Sequence, residues 1–172
     1  MKAIVLCAGK GRRTGFTYPK SLQPFSDGSF LLKKNLQILK EIGFKSSDVI
    51  IATGFREDLI KKKTNNLFTY IKNKKYNYTN MVYSLNEVFM KIKPDSIYVF
   101  YSDIIFKLKD LKKLTKSKKS ITTLVDTNWL KKWKLKKNYK KDLEELKLKK
   151  NKIVFLGKKT NSLRNIDGRF VG

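Results

Sequence analysis

Apolar residues along this chain fall into two kinds of pattern, short continuous runs and helically spaced stripes, and the two alternate. Lys2–Leu6, Val49–Ala52, Phe68–Ile71 and Ile97–Tyr101 are short runs bounded by turn residues, which predicts four strands. Between them, Leu31, Leu32, Asn35, Leu36, Leu39 and Ile42 recur at helical spacing. They predict a helix over about 30–42, N-capped by Ser29 and stopped by Gly43. A short basic helix is predicted near Glu57–Lys63, a longer one from about Met81 to Lys91, and another over Asp110–Lys116. Further along, Ile121–Val125 predicts a strand ending at Asp126, with Trp129 and Trp133 just beyond. Leu146–Leu148 and Ile153–Leu156 flank Lys150-Asn151 as an antiparallel hairpin, and Phe170-Val171 opens one more strand. The run Ile97-Tyr-Val-Phe-Tyr101 has the unbroken apolar character of a central parallel strand.

Strands alternating with helices predict an α/β fold around a mostly parallel sheet. Ligands of such sheets bind beyond the carboxyl ends of the strands. The residues that follow those ends are Gly9–Arg13, Thr53-Gly54, Asp103 and Asp126, so strand direction alone gathers them on one edge.

The first of these segments carries the most chemistry. Lys2–Leu6 runs into Cys7-Ala-Gly-Lys-Gly-Arg-Arg13, with Gly15 beyond and Pro19-Lys20 closing the stretch. Glycines let several backbone N–H groups approach one anion. Arginines and a lysine beside them suit a polyphosphate. Neither of two common phosphate loops fits. The Gly-Lys-Ser/Thr of a P-loop is absent, and the third glycine of the dinucleotide fingerprint is displaced, because position 14 is Thr14.

Composition narrows the reading further. At 172 residues and 41% apolar content the chain predicts one domain with a real core. No apolar run approaches the length of a membrane span, and the N-terminal run is too short for a signal peptide. With a single cysteine, Cys7, no intramolecular disulfide is possible, and a cytoplasmic protein is expected. The formal charge is +26, from 40 Lys and Arg against 14 Asp and Glu. Such a balance invites a nucleic-acid reading. Most of the excess is lysine spread over nearly every element, however, alongside abundant Asn, Ile, Tyr and Phe. That is the signature of compositional drift, and specific nucleic-acid binding is not expected. The chain has no histidine, which removes imidazole acid–base chemistry and His metal sites. A nucleophile that is already an anion needs no such base.

The run Leu6-Cys-Ala-Gly-Lys-Gly-Arg-Arg13 resembles the L-A-A-G-x-G-x-R signature of the sugar-nucleotide type nucleotidyltransferases, and Pro19-Lys20 resembles the P-K that follows it. Tyr78-Thr-Asn-Met-Val-Tyr-Ser-Leu85, Tyr101-Ser-Asp-Ile-Ile-Phe106 and Val125-Asp-Thr-Asn-Trp129 are similar to the branch acting on choline phosphate, 2-aminoethylphosphonate or related acceptors. The resemblance implies a Rossmann-like three-layer nucleotidyltransferase fold. It implies that Leu6, Ala8, Gly9, Gly11, Arg12 and Arg13 hold the nucleotide, and that Lys20 and Arg13 act at the reacting phosphates. Thr53, Gly54, Thr79 and Asn80 would flank base and ribose, and Asp103 would bind Mg²⁺. The reaction implied is transfer of a nucleoside monophosphate, CMP from CTP, onto a small phosphorylated acceptor with loss of pyrophosphate.

Asp126, Trp129 and Trp133 are the acceptor-side candidates, because an aromatic face attracts the ammonium of choline phosphate or aminoethylphosphonate. Packing of two tryptophans at i and i+4 onto a core is the competing reading. The closing Ile166-Asp-Gly-Arg-Phe-Val-Gly172 resembles a mid-domain segment of the family, which implies that the usual C-terminal portion and a second metal aspartate lie outside this chain. The alternatives are a sugar-1-phosphate nucleotidyltransferase using UTP or another triphosphate, a non-catalytic nucleotide binder, and a basic nucleic-acid-binding module.

Overall fold

The structure is a computed structural model that describes residues 1–11, 17–135 and 139–171. It divides into two compact units, Met1–Lys116 and Ser117–Gly172.

The first unit is built on a four-stranded parallel sheet of β1 (Lys2–Leu6), β2 (Val49–Thr53), β3 (Thr69–Lys72) and β4 (Ile97–Tyr101), in the order β3-β2-β1-β4. The helices α1 (Leu31–Glu41), α2 (Glu57–Lys63), α3 (Met81–Phe89) and α4 (Leu108–Thr115) alternate with the strands or follow them. Parallel neighbours require such crossovers. Because strand side chains alternate between faces, Ile4, Ile50, Ala52 and Ile71 form one buried set, which packs with Val88 and half-buried Leu85 and Phe89 of α3. Ala3, Val5, Val49 and Ile51, which alternate with these on the opposite face, are equally buried. Both faces are therefore covered, as continuous apolar strands require.

Local sequence explains where the helices begin and end. Asn80 N-caps α3, its side-chain oxygen accepting from the Val82 and Tyr83 amides at 3.0 and 3.2 Å. In α2, Glu57 and Asp58 occupy the first turn and Lys61–Lys63 the last, complementing the helix dipole. Gly43, at φ 104°, ends α1: its amide bonds the Lys40 carbonyl and the Phe44 amide bonds that of Leu39. This is the paired closure that favours glycine.

Three details differ from the sequence expectations. Ser29 does not cap α1. Its hydroxyl and amide both turn back to the Asp27 carboxylate, at 2.5 and 2.9 Å, in a tight turn through Gly28, and the capping position is Phe30. β4 is the outer strand of the sheet among the described residues, so Tyr98, Val99 and Tyr101 are half-buried and only Phe100 is fully enclosed. The strand predicted over Ile121–Val125 shrinks to β5 (Val125–Asp126), and Ile121 is 92% exposed. A strand forms only where a partner ladder exists, and β5 has one in β8 (Arg169–Phe170).

The second unit also holds α5 (Trp129–Trp133) and the hairpin β6 (Glu144–Lys149) and β7 (Lys152–Lys159). Lys150 and Asn151 turn it with φ of 48° and 60°, the two positive values a two-residue hairpin turn needs. The lysine-dense stretch Lys131–Lys152 supplies two buried leucines, Leu143 and Leu146, both 2% exposed. Leucines spaced among lysines bury their own side chains and leave the ammonium groups in water.

Gly54 is the tightest backbone approach in the sheet unit. A Cβ there would lie 2.7 Å from the Ala8 carbonyl oxygen and 2.7 Å from the Tyr76 Cβ. The Gly54→Ala substitution should therefore cost about 1–3 kcal/mol, the usual range for overpacking. Urea unfolding of the two proteins checks this: an unchanged midpoint would mean that the Ala8 and Tyr76 segments move apart freely.

Candidate active site

The carboxyl ends of β1 and β4 open into a cavity of about 450 Å³. Leu6, Cys7, Ala8, Gly9 and Gly11 line it from the first strand and the loop after it. Tyr101, Ser102 and Asp103 line it from the end of β4, Lys20 and Ser21 from the turn at Lys20–Leu22, and Asn73, Tyr76, Thr79, Asn80, Met81 and Ser84 from the other side. A cavity of this size is in the range of small-ligand sites.

Lys20 and Asp103 meet across the cavity. The Lys20 ammonium donates to the Asp103 carboxylate at 2.8 Å, and both side chains are about two-fifths exposed. The two residues are 83 positions apart, so sheet topology alone joins them. Asp103 is held in place from below. The buried Asn35 of α1 donates its amide to the Ile104 carbonyl at 2.9 Å and to that of Ser102 at 3.4 Å, gripping the chain on either side of the aspartate.

The opposite wall is a small polar network. Asn73, 1% exposed, donates to the Thr79 hydroxyl at 2.9 Å and the Ser84 hydroxyl at 3.0 Å and accepts from the Lys75 amide at 2.8 Å. Its own amide bonds the Thr53 carbonyl at 2.8 Å. Asn73 thereby fixes the Thr79-Asn80 segment to the end of β2. The sequence reading did not single out Asn73, Asn35 or Tyr76. The available signals were a polar residue just past the carboxyl end of β3 and an asparagine in an otherwise apolar helical stripe.

The predicted site residues divide on this geometry. Leu6, Ala8, Gly9, Gly11, Lys20, Thr79, Asn80 and Asp103 come together around the cavity. Thr53 is fully buried, and its hydroxyl donates to Glu57 at 3.1 Å, so it supports the turn and does not face the cavity. Gly54 lies in an adjacent concavity with Phe55, Glu57 and Lys72. Arg12 and Arg13 lie outside the described residues.

The acceptor-side candidates belong to the second unit. Trp129 is 3% exposed and packs with Leu143 and Ile166 in that unit's core. The Trp133 ring is already covered by the Arg169 guanidinium, 4.1 Å from its centroid. Asp126 pairs with Lys132 at 2.6 Å and accepts from the Asn128 amide, a turn-capping role. These contacts are those of packing and capping. Among the described residues no three His, Cys, Asp or Glu side chains gather into a group that could hold a metal ion. No described helix is long and apolar enough to cross a membrane.

Cys7 lies in the cavity floor but is 3% exposed. Burial pushes its thiol up to about 12, and Asp103 adds to the effect; the Ser102 and Ser21 hydroxyls offset it only in part. A thiol so protonated is no nucleophile at neutral pH.

Comparison with known proteins follows the same lines. The model of the MobA-like NTP transferase domain matches residues 3–151. A CTP:phosphoglutamine cytidylyltransferase of Campylobacter jejuni is 27% identical over 183 aligned positions, covering 100% of this chain and 71% of that protein. The solved inositol-1-phosphate CTP transferase from T. maritima superposes with a TM-score of 0.70 at 23% identity, over 99% of this chain and 67% of that one. The last comparison bears on the fold, a parallel sheet flanked by helices.

The raised Cys7 pKa has two measurable consequences. At pH 8 a thiol reagent such as 5,5′-dithiobis(2-nitrobenzoate) should leave the native protein unmodified and titrate one thiol after denaturation. Because the folded state keeps this proton longer than the unfolded chain, whose ordinary value is 9.0, stability should fall as pH rises from about 9 toward 12. Rapid labelling of the native protein would show that the thiol is accessible.

Proposed function

Because the chain belongs to the MobA-like NTP transferase domain family, we propose that it transfers the cytidylyl group of CTP to the phosphate or phosphonate of a small acceptor and releases pyrophosphate. The observation that carries this reading is the Lys20–Asp103 pair, which joins the turn at Lys20–Leu22 to the end of β4 in the cavity that the glycine-rich loop also lines. CTP as the nucleotide is supported by the name of the Campylobacter jejuni relative.

The triphosphate lies along the loop, where the backbone N–H groups around Gly9 and Gly11 and the arginines Arg12 and Arg13 meet its charge. Thr79 and Asn80 approach base and ribose from the Asn73-supported wall. The acceptor's oxygen attacks the α-phosphorus in line. The new O–P bond forms as the bond from the α-phosphorus to the bridging oxygen of the β-phosphate breaks, and pyrophosphate departs. An acceptor phosphate is already anionic, so no proton need be removed, in keeping with a chain that has no histidine. Lys20 exchanges its carboxylate partner for the reacting phosphates and neutralises the charge that develops on them.

Asp103 would hold Mg²⁺. Its hard oxygen donors reach the cavity and are partly open to water, and a single carboxylate fits a cation that takes its remaining ligands from water and phosphate. When bound, the ion would supply charge neutralisation to the triphosphate.

The acceptor is a small phosphorylated molecule. Choline phosphate and 2-aminoethylphosphonate follow from the sequence resemblance, and phosphoglutamine from the Campylobacter jejuni relative. The contacts of Trp129 and Trp133 lend no weight to an ammonium-bearing acceptor over another.

Pyrophosphate release is the test. The protein with Mg²⁺, CTP and one of these acceptors should release it. Lys20→Ala and Asp103→Asn should each lower the rate by about 10²–10³, the usual effect of removing one charge-stabilising group. Release with UTP and a hexose 1-phosphate alone would move the assignment to sugar nucleotides. No release with any pair, together with no binding of CTP, would end the reading.

A further inference from the structure

Lys10 occupies the middle of Gly9-Lys-Gly11, and a lysine in a phosphate loop invites assignment to the phosphate. Its ammonium lies elsewhere. It stands over the Phe55 ring and over the Tyr76 ring, 5.7 Å from each centroid. Cation–π attraction operates within about 6 Å. The two rings are 6.3 Å apart and tilted by 50°, so one ammonium serves both. Lys10, Phe55 and Tyr76 are all half-buried, which weakens screening by water and salt.

Both rings stand on backbone already tied to the root of the loop. The Phe55 amide donates to the Ala8 carbonyl at 3.1 Å, and the Cys7 amide to that of Ala52 at 2.8 Å. Gly54 is pressed between Ala8 and Tyr76 with no room for a Cβ. The Asn73 amide ties the segment leading to Tyr76 back to Thr53. This ladder holds the chain as far as Ala8. Beyond it, Gly9 and Gly11 have no side chains, and Gly11 takes φ of 63°. Lys10 carries the one side chain in these three residues.

We propose that Phe55 and Tyr76 clamp the Lys10 ammonium and so position the glycine-rich loop, with Lys10 acting as a tether and not as a phosphate ligand. The three are positioning residues. Their effect on the nucleotide rests on the reading given under Proposed function, whereas the ordering of the loop does not. A clamped loop presents its amides before the triphosphate arrives, which lowers the ordering cost of binding.

A mutant cycle separates a tether from a ligand. Lys10→Met keeps the length of the side chain and removes its charge. Phe55→Leu with Tyr76→Leu removes the rings, and the triple variant combines all three. Two quantities are measured on each: amide hydrogen exchange of the segment around residues 8–11 without nucleotide, and the Kd for CTP by titration. The single and the double variant should speed exchange at the loop and raise the Kd for CTP about 2–30-fold, the range expected from the strength of a cation–π contact. The triple variant should be no worse than either.

Two results would overturn the clamp. One is unchanged loop exchange in Lys10→Met with weakened CTP binding, which is the behaviour of a direct phosphate ligand. The other is additive losses in the triple variant. If the double variant does not fold, Phe55→Leu alone closes the cycle on the same readouts. If the wild-type protein binds no CTP, the proposed function fails, and loop exchange across the cycle still decides the clamp.

Discussion

The backbone pairing of β1 with both of its neighbours is the constraint on which the rest of the first unit depends. β1 is flanked by β2 in the register Ala3↔Val49 to Leu6↔Ala52 and by β4 in the register Lys2↔Ile97 to Leu6↔Tyr101. The ladder runs one step beyond the strand on both sides, through the Cys7 amide to Ala52 and the Ser102 amide to Leu6. All three strands therefore end level, and the segments after them leave the sheet at one edge. A slip of one residue would carry every side chain of a strand to the other face. Burial of Ile4 on one face and Ala3 and Val5 on the other excludes that slip, because either face would lose its packing.

The polar side chains at that edge divide into supports and cavity-facing groups according to burial. Asn35, Asn73 and Thr53 are almost fully enclosed and direct their hydrogen bonds to backbone carbonyls, hydroxyls or a carboxylate of the fold. Leaving the Asn73 amide or the Thr53 hydroxyl unpaired would cost about 1–3 kcal/mol each, so the positions of these two are strongly determined. Lys20 and Asp103 face the cavity and satisfy one another in a contact that solvent screens. A partly exposed pair of this kind is cheap to separate, which suits the phosphate and metal roles proposed for the two groups. The same distinction explains Cys7, which stands in the cavity floor yet is closed off by burial.

Much of this was legible in the amino-acid sequence. β1, β2, α2 and the hairpin turn at Lys150-Asn151 follow from apolar runs and from residues that tolerate positive φ. Asp103 was found because it follows a strand end, and Lys20 because it stands in a recognisable Pro-Lys pair. Ser29 was misread because its hydroxyl had two possible partners, the first turn of α1 or the nearby Asp27, and nothing local decides between them. Trp129 and Trp133 presented the same ambiguity on a larger scale, since an aromatic pair on a helix face serves a ligand or a core equally well. Burial of Trp129 and the Arg169 guanidinium over Trp133 appear only once the segments carrying Leu143, Ile166 and Arg169 are brought in.

By itself, then, the sequence determined the alternation of strands and helices, the glycine-rich loop at the carboxyl end of the first strand, and the absence of imidazole chemistry. These are properties of local spacing and composition, which do not depend on what is packed against what. The tertiary structure decided which polar groups face the cavity and which are consumed as supports. It also decided that Lys20 meets Asp103, that Asn73 braces the opposite wall, and that Lys10 lies over two aromatic rings. Those outcomes depend on strand order and register, through which residues dozens of positions apart compete for the same hydrogen bond or the same few ångströms of space.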